Sequence, residues 1–286
     1  MTSRPATALT IAGTDPSGGA GIQADLKTFT TLGVYGTSAI TSLIAQNTQG
    51  VQQVIPIGID DLRAQISSVL DDLPIDATKI GMLGSAEMVK AVAKIIADRR
   101  EEFGVLVVDP VLVATSGDSL SDDDAALAMV EHLLPLADVV TPNLPEAAWL
   151  SDADAEAESL EQMTEQAHVV AQHGTGAVMV KGGHLYHDTQ EMTDVVVING
   201  EAYSLPIPRV STRNTHGTGC TLSSAIAARA ALNVSAQTPP SSEDLLAWIK
   251  KGQTDLARAL AAGAHWELSY APQTGHGPVN HLALRA

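Results

Sequence analysis

The chain has 286 residues, 45% of them apolar and 17% charged, and a formal net charge of −17. That charge argues against nucleic acid or an anionic membrane as a partner, and it means that a phosphate ligand must be held by local donors and a metal rather than by the overall field. The apolar share supplies a large core, built from Ala, Val, Leu and Ile because aromatics are only 3%, and the single cysteine excludes an intramolecular disulfide and fits a reducing cytoplasm.

The first element is the apolar run at 8–12, which reads as a buried strand. It is cut by Gly13-Thr14-Asp15-Pro16, too early for a signal peptide. No apolar run approaches the ~20 residues that span a bilayer, so the expectation is a soluble, cytoplasmic protein, one domain over 1–286. The loop from Gly13 to Gly21 carries four glycines ahead of a helical run in which Ile22, Leu26, Phe29 and Leu32 share one face. It is neither the P-loop nor the dinucleotide fingerprint, because both spacings are missing. A strand, a glycine turn and a helix place small ligands at the carboxyl ends of strands.

Further along, strand-like runs at 38–45, 54–57, 78–80, 105–109, 138–141 and 177–181 alternate with helical runs at 60–71, 85–98, 121–134, 144–150, 159–173, 217–232 and 241–262. Val105-Leu106-Val107-Val108 is apolar at every position, as in a parallel strand covered on both faces. The alternation predicts an α/β fold, a doubly wound and mostly parallel sheet with helices on both faces. Between 194 and 205 two runs meet at Asn199-Gly200, which predicts a small hairpin at the sheet edge. Residues 151–161 and 235–242 read as surface loops.

Polar groups gather at strand ends. Gln46-Asn47-Thr48 closes one strand with two amides, suited to a heterocycle or simply solvated. Asp109 ends another, where it could position a metal or a lysine, or accept backbone hydrogen bonds. Asn143 and Glu146 follow a third; the spacing suits Mg²⁺ held largely through waters, and equally an N-cap with its capping-box partner. Lys181-Gly182-Gly183-His184 follows a fourth, where a lysine can meet a phosphate or merely precede a turn. His184 and His187 lack ligands in register for zinc. Last comes Asn214-Thr215-His216-Gly217-Thr218-Gly219-Cys220, ahead of an Ala-rich helical run. Glycines opening a helix turn free amides and the positive dipole end towards one point, which binds anions. Cys220 in that turn is expected to be partly thiolate, unless it is only a small packed side chain.

Together the stretches 8–29, 45–48, 79–83, 141–147, 180–184 and 214–223 resemble the ribokinase-like superfamily, and within it the hydroxymethylpyrimidine/phosphomethylpyrimidine kinases of thiamin biosynthesis. Gly275-His276-Gly277-Pro278-Val279 is similar to that family's C-terminal tail. The resemblance implies transfer of phosphate from ATP, with Mg²⁺, to a small pyrimidine alcohol and then to its monophosphate. Gly13, Ala20, Ile44, Gln46 and Met82 would then line the pyrimidine pocket, with Asp25 supporting it. Asp109 and Glu146 would serve the metal, Asn143, Lys181 and Thr215 would serve ATP, and Gly217, Thr218, Gly219 and Cys220 would form the anion hole, Cys220 taking the hydroxyl proton. A homodimer is a further implication. The alternatives are a pyridoxal or pyridoxine kinase and a non-catalytic nucleotide-binding regulator.

Overall fold

A computed structural model describes residues 4–111, 123–183, 185, 190–233 and 240–284. The histidines at 184 and 187, and the loop at 235–242 as far as 239, lie outside the described residues. In chain order the elements are β1 (Thr7–Ala12), α1 (Gly21–Thr31), β2 (Tyr35–Ile40), β3 (Ser42–Asn47), β4 (Gly50–Pro56), α2 (Ile59–Leu70), β5 (Ala77–Ile80), α3 (Ala86–Asp98), β6 (Val105–Val108) and α4 (Asp123–Ala128). There follow β7 (Val139–Val140), α5 (Leu144–Leu150), α6 (Leu160–Ala171), β8 (Ala177–Val180), β9 (Glu191–Ile198), β10 (Glu201–Pro208), α7 (Thr218–Ala231) and α8 (Ser242–Gly263).

Among the described residues, eight strands form one sheet in the order β10-β9-β8-β7-β6-β5-β1-β2. From β8 to β2 every pairing is parallel, and β9 and β10 add an antiparallel hairpin at the edge. Asn199 (φ 50°) and Gly200 (φ 79°) turn that hairpin in the left-handed region, as the tight two-residue turn requires. The strands bury both faces in alternation. Leu106 and Val108 pack with Leu62, Ile66, Val89, Val92, Met163 and Ala167 from α2, α3 and α6. Val105 and Val107 pack with Phe29, Ala225, Ile226 and Ile249 from α1, α7 and α8. Each fully buried Leu, Ile or Phe stabilises the fold by roughly 1.5–3 kcal/mol.

Two expectations need correction. The single strand expected over 38–45 is two strands in different sheets. At Thr41 the amide donates to Ala12 O (3.0 Å) and the hydroxyl to Met82 O (2.8 Å), so the chain is pinned beneath the sheet end and turned away from it. Beyond that point β3 pairs antiparallel with β4 as a separate two-stranded flap. The helix expected over 121–134 is described from 123, and it loosens after Ala128 into a π turn and a 3₁₀ turn. Pro135 stands in the latter, where it can no longer donate to the ladder.

Candidate active site

The residues that close the parallel strands face a cavity of about 900 Å³. Gly13 follows β1, Met82 follows β5, Asp109 follows β6, Asn143 follows β7 and Lys181 follows β8, so the cavity lies across the carboxyl ends of the sheet. The β3–β4 flap contributes Ile44 and Gln46, the first glycine loop contributes Ala20, and Thr215 with residues 217–220 supplies the floor. Of the site residues expected from the sequence, Asp25 alone does not line it.

The floor is shaped by one backbone conformation. Gly217, at φ 80°, is the N-cap of α7, and a Cβ there would collide with the carbonyl oxygen of Gly19. Only glycine lets the second glycine loop lie this close against the first. Because α7 starts at Thr218, the amides of Gly219 and Cys220 precede any intrahelical acceptor and point out of the helix end.

A buried pair clamps the two loops together. His216 Nε2 donates to Asp15 Oδ2 at 2.7 Å. The same carboxylate accepts from the amides of Ser17 (2.9 Å), Gly19 (3.1 Å) and Ala20 (2.7 Å). Burial works to raise the Asp15 carboxyl, but the bonds from His216, Ser17 and Ala20 outweigh it and hold it at about 2. The histidine and aspartate escaped the sequence reading. Asp15 in an Asp-Pro-Ser-Gly turn and a histidine inside the second loop were its visible signals.

Lys181 Nζ donates to Asp109 Oδ1 at 2.9 Å and lies 3.9 Å from Glu146. Asp109 also accepts from Thr141 Oγ1 at 3.1 Å. Burial pulls Lys181 towards neutrality, yet Asp109 and Glu146 hold it above the usual lysine value, so it carries full charge at neutral pH. Asp109 is held below the usual carboxylate range: Lys181 and Lys79 outweigh its burial. Asn143 and Glu146 form a capping box at the start of α5, with Asn143 Oδ1 accepting from the Glu146 amide and Glu146 Oε2 from the Asn143 amide, each at 2.8 Å. The capping reading of that motif is the one observed, and the box also holds the Glu146 carboxyl at the cavity wall.

Asp25 belongs beneath the site. It and Lys79 are both fully buried, with Lys79 Nζ 3.1 and 3.0 Å from the two carboxylate oxygens. Thr10 Oγ1 and Ser224 Oγ each donate to the same carboxylate at 2.6 Å. This knot ties β1, β5, α1 and α7 together behind the anion loop. It makes Asp25 a support for the pocket, not a group that substrate touches. A lysine inside the short, fully buried strand Ala77–Ile80 was the available sign of such a partner.

Cys220 departs from expectation. Its thiol is pushed up to about 11: burial is the main cause, Asp25 and Asp109 add to it, and Lys79 and the Gly21 amide pull the other way without prevailing. The helix end beneath it does not offset two carboxylates and the loss of water, so the resting site holds a neutral thiol.

Among the described residues no three His, Cys, Asp or Glu side chains gather as a metal cluster. A Mg²⁺ ion that arrives on nucleotide phosphates needs only one or two carboxylates, with waters and phosphate oxygens completing its shell. The hard oxygens of Asp109 and Glu146 at the cavity wall fit that demand. No helix among the described residues is long and apolar enough to cross a membrane.

Residues 15–241 match the family described as phosphomethylpyrimidine kinase. The chain is 46% identical over 278 residues, 97% of each protein, to the hydroxymethylpyrimidine/phosphomethylpyrimidine kinase of Rhizobium meliloti. It is 41% identical over 274 residues to the thiamine biosynthesis bifunctional protein of Geobacter sulfurreducens, covering 96% of this chain and 52% of that one. Among solved structures, the ADP complex of Bacillus subtilis pyridoxal kinase has a TM-score of 0.85 at 35% identity, over 98% of this chain and 99% of the other.

Proposed function

The chain belongs to the phosphomethylpyrimidine kinase family, and from that premise we propose that it uses ATP to phosphorylate 4-amino-5-hydroxymethyl-2-methylpyrimidine and then the resulting monophosphate, in thiamin biosynthesis. The observation that carries this reading is the continuity of the cavity. Gly13, Gln46 and Met82 lie towards the β1–β5 side of the sheet, Met192 and Ile207 towards the β9–β10 side, and Lys181 and residues 217–220 stand between them. An acceptor on the first side and a nucleotide on the second would meet over the anion loop.

The parts have distinct work. Gln46 reads the ring, because its carboxamide offers a donor and an acceptor to the amino group and the adjacent ring nitrogen of the pyrimidine. Its Nε2 lies 3.4 Å from Thr14 O, a long contact that it can exchange for a substrate bond. Met82 and Ile44 cover the apolar faces of the ring. Lys181 and the amides of Gly219 and Cys220 receive the γ-phosphate and the charge that develops on it, which is where positioning lowers the barrier of phosphoryl transfer. Mg²⁺ at Asp109 and Glu146 would supply further neutralisation of the nucleotide phosphates.

ATP turnover measured with the pyrimidine alcohol, its monophosphate and pyridoxal tests the reading. Turnover of both pyrimidines is expected, and turnover of pyridoxal alone would replace it with the second reading. That second reading has one specific support, the likeness to the Bacillus subtilis pyridoxal kinase. The ring contact has its own check. Gln46→Leu strands a polar edge of the bound ring, which costs about 1–3 kcal/mol. Isothermal titration should show correspondingly weaker binding of the alcohol, and an unchanged affinity would remove Gln46 from ring recognition.

A further inference from the structure

The segment after α8 crosses one side of the cavity as a strap, and a histidine on it faces inward. The strap is fixed to the flap at one end: Thr48 Oγ1 donates to Ser269 Oγ at 3.1 Å, and the His276 amide donates to Thr48 O at 2.9 Å. It is fixed to the anion loop at the other, where the His216 amide donates to Gly277 O at 3.0 Å. Buried glycines flank the histidine, and a Cβ at Gly277 would collide with the side chain of Asn214. The backbone of His276 is thus held on both sides, while its ring is exposed to the cavity with Nδ1 3.4 Å from Thr215 Oγ1.

Among the described residues, the other basic side chains lining the cavity are already engaged. Lys181 meets Asp109, His216 meets Asp15, and Arg209 donates to Gly183 O and Leu185 O, each at 3.0 Å. Among the described residues no carboxylate pairs with His276. The second reaction brings an anionic acceptor up to an anionic donor in a chain of net charge −17. It needs a donor near the acceptor that the first reaction does not need. His276 sits on the acceptor's side, bonded through its own amide to the flap turn that follows Gln46.

We propose that His276 binds the phosphate of the monophosphate acceptor and so favours the second phosphorylation over the first. The inference rests on the functional reading above. No bond is made or broken by the ring, which donates a charge-assisted hydrogen bond to a phosphate oxygen.

The test compares kcat/KM for the monophosphate with kcat/KM for the alcohol in wild type, His276→Ala and His276→Arg. In His276→Ala the ratio of the two should fall about 10-fold or more, the scale of a lost bond to a charged group. His276→Arg should restore much of that ratio, which a merely structural role would not allow. Affinity for the monophosphate measured without ATP should fall in parallel in the alanine variant. An unchanged ratio, or unchanged monophosphate affinity, overturns the assignment. A wild-type protein that phosphorylates neither acceptor overturns the functional reading instead, and the binding comparison still decides His276.

Discussion

Lys181→Ala should lower kcat/KM by about 10²–10³-fold for the alcohol and for the monophosphate alike, the scale of losing a positioned donor to developing charge. The structure gives three reasons for a loss this large. The ammonium is fully charged at neutral pH because Asp109 and Glu146 hold its pKa up. It stands at the end of β8 beside the anion loop, where both reactions pass charge through the same γ-phosphate. Its removal also leaves Asp109 without its hydrogen-bonded cation, so a less neutralised carboxylate then faces the incoming phosphates. Steady-state release of ADP with each acceptor gives the number. A loss below tenfold for either acceptor would mean that the amides of the loop carry the phosphate without Lys181.

Lys79→Met should destabilise the protein by about 3–5 kcal/mol, the cost of leaving one partner of a buried ion pair alone. Asp25 would keep its bonds from Thr10 and Ser224, but two neutral hydroxyls do not replace a cation 3.0 Å away. The double variant Lys79→Met with Asp25→Asn should recover part of the loss, since it removes the stranded charge as well. Urea unfolding of the two single variants and the double one provides the cycle. A Lys79→Met protein within about 1 kcal/mol of wild type would contradict a stabilising role for the buried pair.

The layered fold was legible because its signals are local. A run such as Val105-Leu106-Val107-Val108 is a local signal of a doubly covered strand, and Asn199-Gly200 is one of a tight turn. The family was legible too, since its motifs are spread in order along the chain and the match over residues 15–241 bears them out. What stayed hidden depends on contacts between distant segments. Nothing near Thr41 announces that its hydroxyl will meet Met82 O and divert the chain into a separate flap. Asp25 and Lys79 are 54 positions apart, so neither reveals that the other neutralises it. Distant contacts also explain the different outcome at Cys220. A helix end alone argues for a thiolate, but burial and the carboxylates of Asp25 and Asp109, all supplied by the tertiary fold, decide the opposite.

The proposed mechanism rests on positioned charge and not on a preformed thiolate, and Cys220→Ala tests that most directly. The alcohol must lose a proton as it attacks, whereas the monophosphate is already ionised near neutral pH, with a second pKa of about 6. A thiol that only shapes the anion loop contributes equally to both transfers. Single-turnover rates of Cys220→Ala with saturating ATP should show losses of similar size for the two acceptors, roughly 3- to 10-fold each, as for a neutral contact. A loss of about 10²-fold or more confined to the alcohol, with the monophosphate untouched, would contradict the account and make Cys220 the base.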